Sequence, residues 1–371
     1  MGAARSQVPA RSDARPRRAL DVLIVSLGST EGLRRADQEL RDALERAGAS
    51  VEIAAALAPP AMRTTMLTDL GWARAARAAA VSALARTRPS PPRAIVYSST
   101  TAALLWPQPG AIRFDATSAE NRPGRHGLWQ RPLERRRLDR APLLLPWSEG
   151  ALEEAPAAAR HRDRALVVPV PVEPSGAPEP VRDIAAITYA ANPAKKGLDR
   201  VLAAWRRVRG EVGGRAGAGG DTGAGAGELV VAGASAVDIE KAGLPTGEDG
   251  VRIVGPLPYG EYRALLRRAR VFVCAARRED YGIAQLEALA DGCLLVSTPA
   301  PGPYAALPIA RALDARLVSE DLDRALRDAL IDPPVGYVPR ALKLLAPFTR
   351  EAVDGLVAGD LLPKILDGDR R

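Results

Sequence analysis

The chain has 371 residues, too many for one ordinary core and suited to two domains. Its formal charge is +8, carried mostly by arginine and without a basic–aromatic recognition pattern, which excludes a nucleic-acid partner; compositional bias, attraction for nucleotide phosphates and contact with an anionic membrane remain as readings. Cys274 and Cys293, with His126 and His161 as the only histidines, exclude a disulfide framework and a metal-ligand cluster, and no apolar run reaches membrane-spanning length, so a cytoplasmic setting with no metal is expected.

Residues 1–18 are polar, Arg-rich and aperiodic, the pattern of a disordered tail. The apolar run at 21–27 reads as a strand rather than the core of a signal peptide. Residues 28–32 read as a loop with glycine at both ends, and 33–47 as a helix by spacing. Gly48 ends that helix, and 51–54 reads as a second strand. This β–loop–α–β opening is a Rossmann-like unit. The alternation continues with a helix at 67–87, strands at 94–97 and 111–114, an Arg-rich helix, and strands at 143–145 and 165–168. Residues 171–180, dense in proline, are the clearest linker. A second α/β series follows, with a strand at 184–189, a helix from Gly197, and strands at 229–232 and 251–254. Residues 210–227, rich in Gly and Ala, read as a flexible loop insertion. Strands at 271–274 and 294–297 bracket a helix at 283–290, and the segment from Arg340 reads as helical. The expected division is a tail at 1–18, a domain at 19–170, a linker at 171–182, a second domain at 183–339 and a terminal helical segment at 340–371.

The most informative stretch runs from Arg278 to Gly292. A loop carrying Glu279 leads through Tyr281-Gly282 into a helix that begins at Ile283 and carries Glu287. Free N–H groups at a helix start attract anions, and glycine allows close approach to the backbone. A carboxylate beside a phosphate would repel it, so the two glutamates suit hydroxyl groups instead. Phosphate flanked by hydroxyls describes a nucleotide sugar. The plain alternative is a pair of solvated glutamates at a common spacing.

Glu279, Glu287, the Tyr281-Gly282 turn and the Leu286-Glu287-Ala288-Leu289-Ala290 helix together resemble the retaining glycosyltransferases of group 1, family 4. The resemblance implies an α/β chain with the GT-B fold, two Rossmann-like domains facing a cleft that takes the acceptor on the first domain and the donor on the second. It implies hexose transfer from a nucleotide diphosphate sugar with retention and without a metal or other cofactor. Glu279 would then face the sugar, Glu287 the ribose, and the backbone of Tyr281, Gly282 and Ile283 the sugar and diphosphate. It also implies that the terminal helical segment crosses back to the first domain.

Lys196-Gly197, after the strand at 184–189, falls on the family's Lys-Gly pair, whose lysine grips the diphosphate. A cation at a helix N-terminus opposes the helix dipole, which favours an anionic partner for Lys196 over plain solvation; Lys195 reads either way. Where the family carries an arginine, this chain has Ala191, a departure that removes a cation from the leaving group's site. Asp115 stands where relatives often have a histidine, and reads as a hydroxyl-orienting group or base, or as a cap for residues 116–118. Ser98 to Thr101 and Glu120 to Arg122 read as helix caps that could also line the acceptor site. Leu257 in the turn after the strand at 251–254 could pack on the nucleotide base, and Gly28 could lie near the diphosphate, although its loop lacks the dinucleotide fingerprint.

Arg122, Arg125, Arg131, Arg135, Arg136, Arg137 and Arg140 form a local cluster that reads as a solvated helix face, with docking to a membrane or an anionic acceptor as the alternative. The expected partners are a nucleotide sugar donor and an acceptor that is a glycan, a lipid or a small molecule. The rival from another class is a non-catalytic GT-B protein that binds a sugar nucleotide or a partner enzyme, kept open by Ala191 and Asp115. An epimerase or a phosphorylase would share the architecture.

Overall fold

Strands buried on both faces read as unbroken apolar runs, and such runs assemble into parallel sheets covered by helices. The computed structural model describes residues 19–367 apart from 61, 123, 158–159, 162, 178, 180 and 217–226. The tail expected at 1–18 lies outside the described residues. Two five-stranded parallel sheets carry the fold.

The first sheet contains β1 (Val22–Ser26), β2 (Val51–Ala55), β3 (Ala94–Tyr97), β4 (Ala111–Phe114) and β5 (Leu144–Pro146) in the order β2-β1-β3-β4-β5. Its helices are α1 (Glu31–Arg46), α2 (Thr65–Arg86), α3 (Thr100–Ala103), α4 (Ser118–Asn121), α5 (Gln130–Arg140) and α6 (Glu149–Glu154). β1 is fully buried inside the sheet and pairs with both β2 and β3.

The second sheet contains β6 (Ile184–Tyr189), β7 (Leu229–Ala232), β8 (Val251–Gly255), β9 (Ala269–Cys274) and β10 (Leu294–Ser297) in the order β10-β9-β6-β7-β8. Around it pack α7 (Leu198–Ala216), α8 (Ala236–Lys241), α9 (Tyr259–Arg268), α10 (Ile283–Ala290), α11 (Ala306–Leu313), α12 (Leu322–Ile331) and α13 (Tyr337–Leu344). Both sheets follow the doubly wound pattern, in which the chain leaves the central pair of strands in opposite directions.

The C-terminal residues return to the first domain. Val172 N–H donates to the carbonyl of Phe348 at 2.8 Å. Beyond it, α14 (Arg350–Leu356), a π-helical turn (Val357–Leu361) and α15 (Leu362–Asp367) place Val353, Val357, Leu361 and Ile365 in one cluster with Val22, Ile24 and Leu44. Arg46 and Asp354 close this contact with two hydrogen bonds of 2.7 Å. α13 stays with the second domain, where Tyr337 accepts a hydrogen bond from Leu295 N–H at 3.1 Å.

Several sequence readings differ from the structure, three of them with a clear local cause. Helix α1 starts at Glu31 rather than Leu33, because Thr30 caps it by accepting from Leu33 N–H at 3.2 Å. Residues 165–168 are not a full strand. Ala165 makes one bridge to Leu144, and Leu166 and Val168 donate to β5 carbonyls, but Pro146 of β5 has no N–H to return the next bond of the ladder. Helix α7 continues through Gly210 to Ala216, so the expected loop begins later; residues 217–226 lie outside the described residues.

Candidate active site

Loops at the carboxyl ends of neighbouring central strands that lead away in opposite directions leave a crevice between them. In the second sheet those strands are β6 and β9. The loop after β6 carries Lys195 and Lys196, and the loop after β9 carries Glu279 to Gly282. The loops after β1, β3 and β4 of the first sheet face them across a cleft of about 1480 Å³. Glu279, Asp115, Lys195, Lys196, Tyr281, Gly282, Ile283, Glu287 and Leu257 all line it. Gly28 does not, although its neighbours Leu27 and Ser29 do. Its backbone is left-handed at φ +55°, and its carbonyl accepts from Arg34 Nη1 at 2.8 Å, so it shapes the turn into α1.

Glycines set the positions of both second-domain loops. A side chain on Gly197, which has φ +65°, would put its Cβ 1.9 Å from the Ala275 carbonyl oxygen. The Lys196-Gly197 loop can therefore lie directly on the end of β9. Asn192 fixes the same turn by accepting from Lys195 N–H with its side chain at 3.0 Å and from Lys196 N–H with its carbonyl at 2.9 Å. Gly282, at φ +88°, forms the entry to α10, and a Cβ there would meet the Tyr304 ring at 2.8 Å. No side chain caps this helix, and Gly282, Ile283 and Ala284 line the cleft. Its first turn thus offers partial positive charge to the cavity.

The carboxylates are held by specific donors. Lys196 Nζ donates to Glu279 at 2.9 and 2.7 Å, and Gln285 Nε2 donates to Glu279 Oε2 at 2.9 Å. Glu279 is only 4% exposed. Burial pulls the Lys196 amine down, but the charge and hydrogen bonds of Glu279 outweigh it and leave the amine raised. Lys195 Nζ lies 2.6 Å from Asp280. Burial pushes Asp280 up, and Lys195 with Arg278 more than reverses this, leaving it below the usual carboxylate range.

Glu287 is bound from two sides. Arg35 Nη1 of the first domain lies 2.5 Å from Oε1, and Tyr259 OH donates to the same oxygen at 3.0 Å. The Arg35 guanidinium stacks 3.6 Å from the centroid of the Tyr259 ring. Burial raises the Glu287 carboxyl against the opposing charges of Arg35 and Arg263. The same burial, with Glu287 nearby, pushes the Tyr259 hydroxyl up to about 12. Tyr281 faces the cleft with little but its backbone, because its hydroxyl accepts from Val170 N–H at 3.1 Å and its ring packs edge-on against Trp147.

On the first domain, Asp115 follows β4 and is pushed up to about 6 by burial and by the charge of Asp280. Ser99 caps α3 by accepting from Ala102 N–H at 3.1 Å. Asn121 accepts from Arg278 Nε at 3.0 Å, which joins the domains at the rim. The Arg-rich segment is not one helix. Residues Gly124–Gly127 form a 3₁₀ turn, and α5 begins at Gln130. Arg122 is held by Asp69 at 2.7 Å, Arg131 donates to the carbonyls of Arg122 and Gly124, and Arg137 donates to Leu104 and lies over Trp106. These three are committed to internal contacts instead of an open basic face.

Arg35, Tyr259, Gln285, Asp280 and Arg278 escaped the sequence reading. Asp280 and Gln285 lie inside the motif and were within reach. Arg35 and Tyr259 carry no local signal, since their partner is 252 and 28 residues away. Among the described residues, no group of three or more His, Cys, Asp or Glu is placed to hold a metal ion, and no helix is long and apolar enough to cross a membrane.

Residues 183–332 match the family model of glycosyl transferases group 1. No curated protein sequence matches the chain. WaaG, a glycosyltransferase involved in lipopolysaccharide biosynthesis, matches the structure with a TM-score of 0.62 at 14% identity, over 93% of this chain and 99% of that one. HepE from Anabaena, solved in complex with UDP and glucose, gives 0.61 at 11% identity over 93% and 99%. The α,α-trehalose 6-phosphate synthase from Burkholderia multivorans gives 0.61 at 13% over 92% and 98%. At such identities the likeness shows the fold, which is GT-B.

Proposed function

We propose, for a GT-B chain whose residues 183–332 match the group 1 glycosyltransferases, that it transfers a hexose from a nucleotide diphosphate sugar to an acceptor seated on the first domain. The observation that carries this reading is the convergence of Glu279, Glu287, Lys196 and the uncapped start of α10 on one cleft, from the loops that follow two adjacent strands and the helix that one of them enters. A diphosphate at the start of α10 meets partial positive charge, and its sugar and ribose meet buried carboxylates that accept hydroxyl hydrogen bonds.

In this reading the bond between the anomeric carbon and the phosphate oxygen breaks as the acceptor oxygen bonds to the same carbon. The start of α10 and Lys196 stabilise charge developing on the departing diphosphate, so that the chain's own groups supply the electrostatic help without a metal. Glu279 orients the hexose. With retention, the acceptor hydroxyl enters on the face from which the diphosphate leaves and passes its proton to the departing phosphate oxygen. Asp115, which lines the cleft near Asp280, orients the acceptor hydroxyl in this reading. Closure of the two domains over the bound donor would limit competing hydrolysis by water.

The test is a thermal-shift screen against nucleoside diphosphates and their sugars, starting with UDP and UDP-glucose because HepE was solved with UDP and glucose. A ligand that binds only the folded state raises the melting temperature. Stabilisation by one nucleotide that is lost in Glu287→Ala supports the donor site, and transfer with an unchanged anomeric configuration in the product supports retention. Stabilisation without turnover turns the reading to a non-catalytic sugar-nucleotide binder; no stabilisation by any member removes the donor site.

A further inference from the structure

Among the paired cations that line the described cleft, Arg35 alone has its carboxylate on the opposite domain. Arg34 is held by Glu31, Arg122 by Asp69, Lys195 by Asp280 and Lys196 by Glu279, each within its own domain. Arg35 Nη1 instead reaches Glu287, the carboxylate that the proposed function assigns to the donor's ribose. The pair is inward-facing, with Arg35 about a quarter exposed and Glu287 nearly buried. A guanidinium has five N–H donors, and of its three nitrogens only Nη1 has a partner among the described contacts.

The face of α1 that carries Arg35 looks onto the start of α10. Gly32 precedes Arg35 by three residues and so shares that face. A Cβ on Gly32 would lie 3.8 Å from Ile283 Cδ1, in the first turn of α10. The place assigned to the diphosphate is therefore beside the Arg35 face. Ala191, on the loop opposite, supplies no cation there. Lys196, the remaining cation assigned to the phosphates, is already bound to both oxygens of Glu279.

We propose that Arg35 is a donor-binding residue, the second cation for the diphosphate of a nucleoside diphosphate sugar, supplied across the cleft by the first domain. Ribose hydroxyls take over the Glu287 carboxylate, and the released guanidinium turns to the phosphate oxygens, where its planar fork gives charge-assisted, two-point contact. The assignment rests on the donor-site reading above. It makes the donor a bridge between domains, because its ribose is held by the second and its phosphates by both.

Calorimetric titration of the full chain and of Arg35→Ala and Arg35→Lys, with UDP, ADP and GDP and with the matching nucleosides, tests it. For the diphosphate that binds the unmodified protein, Arg35→Ala weakens binding by about tenfold or more, while the nucleoside binds as well or better. Arg35→Lys restores part of the loss by returning a point charge, and keeps the test alive if the alanine variant does not fold. Unchanged or tighter diphosphate binding by Arg35→Ala overturns the proposal, since Arg35 would then only occupy Glu287. If the unmodified protein binds no nucleotide, the donor-site reading itself fails and this proposal with it, a result distinct from an indifferent variant.

Discussion

Lys196 donates to both carboxylate oxygens of Glu279, at 2.9 and 2.7 Å, across 83 residues of sequence. The two loops that meet in this pair leave adjacent parallel strands, so the ion pair sets the floor of the cleft. Glu279→Gln keeps the shape of the side chain and removes its charge. Turnover of the donor found by screening should fall by about a hundredfold, and the melting temperature should fall as well, because Lys196 loses its anion, although less than on loss of the lysine since Lys196 is about a quarter exposed. Lys196→Ala leaves Glu279 buried without its cation and should also destabilise the fold, by up to about 3–5 kcal/mol. Steady-state kinetics and denaturant unfolding of the two variants separate these effects.

Gly197 and Gly282 have left-handed backbones with no room for a side chain. The conformational cost of alanine at such sites is about 1–3 kcal/mol before any clash. Gly197→Ala should be the worse variant, because its Cβ meets the Ala275 carbonyl at 1.9 Å, whereas Gly282→Ala presses on a ring at 2.8 Å. Urea unfolding ranks them, and equal or reversed losses would contradict the geometry.

Asp115 is pushed up to about 6 by burial and Asp280, above the ordinary aspartate value of about 3.9. Between about pH 4 and 6 the folded state then holds more protons than the unfolded state, so this group's contribution lowers stability as pH rises through that window. Asp115→Asn should flatten the slope and be the more stable protein above pH 6. Parallel unfolding curves at pH 4.5 and 7 check the sign. If the ionised carboxylate serves the acceptor, turnover by the unmodified protein should rise through pH 6 and lose that rise in Asp115→Asn.

Ala191 is exposed at the cleft edge, where its loop can accept a longer side chain. Ala191→Arg should tighten nucleoside diphosphate binding several-fold, about 1 kcal/mol, and leave nucleoside binding unchanged. Calorimetry with both ligands is the measurement, and equal gains for both would point away from the phosphates.

Leu361 is fully buried where the C-terminal helices meet Val22 and Ile24. Leu361→Ala should cost about 2–5 kcal/mol, the usual range for emptying a core leucine site. Loss of the whole segment from Arg350 would uncover the apolar faces of β1 and α1, and should lower the melting temperature further and promote association.

The fold was largely legible because parallel strands buried on both faces have no polar residues to obscure them. β3, β4, β6, β7, β10 and α10 begin and end where the pattern of apolar residues and glycines put them. The exceptions have local causes. Thr30 outweighed the glycines at the start of α1, and Pro146 in β5 cut short the pairing of residues 165–168. The halves of the cleft were visible as two motifs, Lys196-Gly197 and Glu279 to Glu287, each written within a few residues of chain.

What joins those halves was not legible. Arg35 meets Glu287 across 252 residues and Arg278 meets Asn121 across 157; the resemblance implied that the terminal helices return to the first domain, but not that they pack on Val22, Ile24 and Leu44. Burial periodicity and turn chemistry act over a few residues, so the sequence alone determined strands, helix starts and the identity of the loop motifs. Which charges pair depends on the relative placement of two domains, and hence on long-range packing that no local pattern encodes. The sequence therefore determined the two sheets, the donor-side motif and Asp115 as a candidate, and the tertiary structure decided that Arg35 and Tyr259 share their cleft.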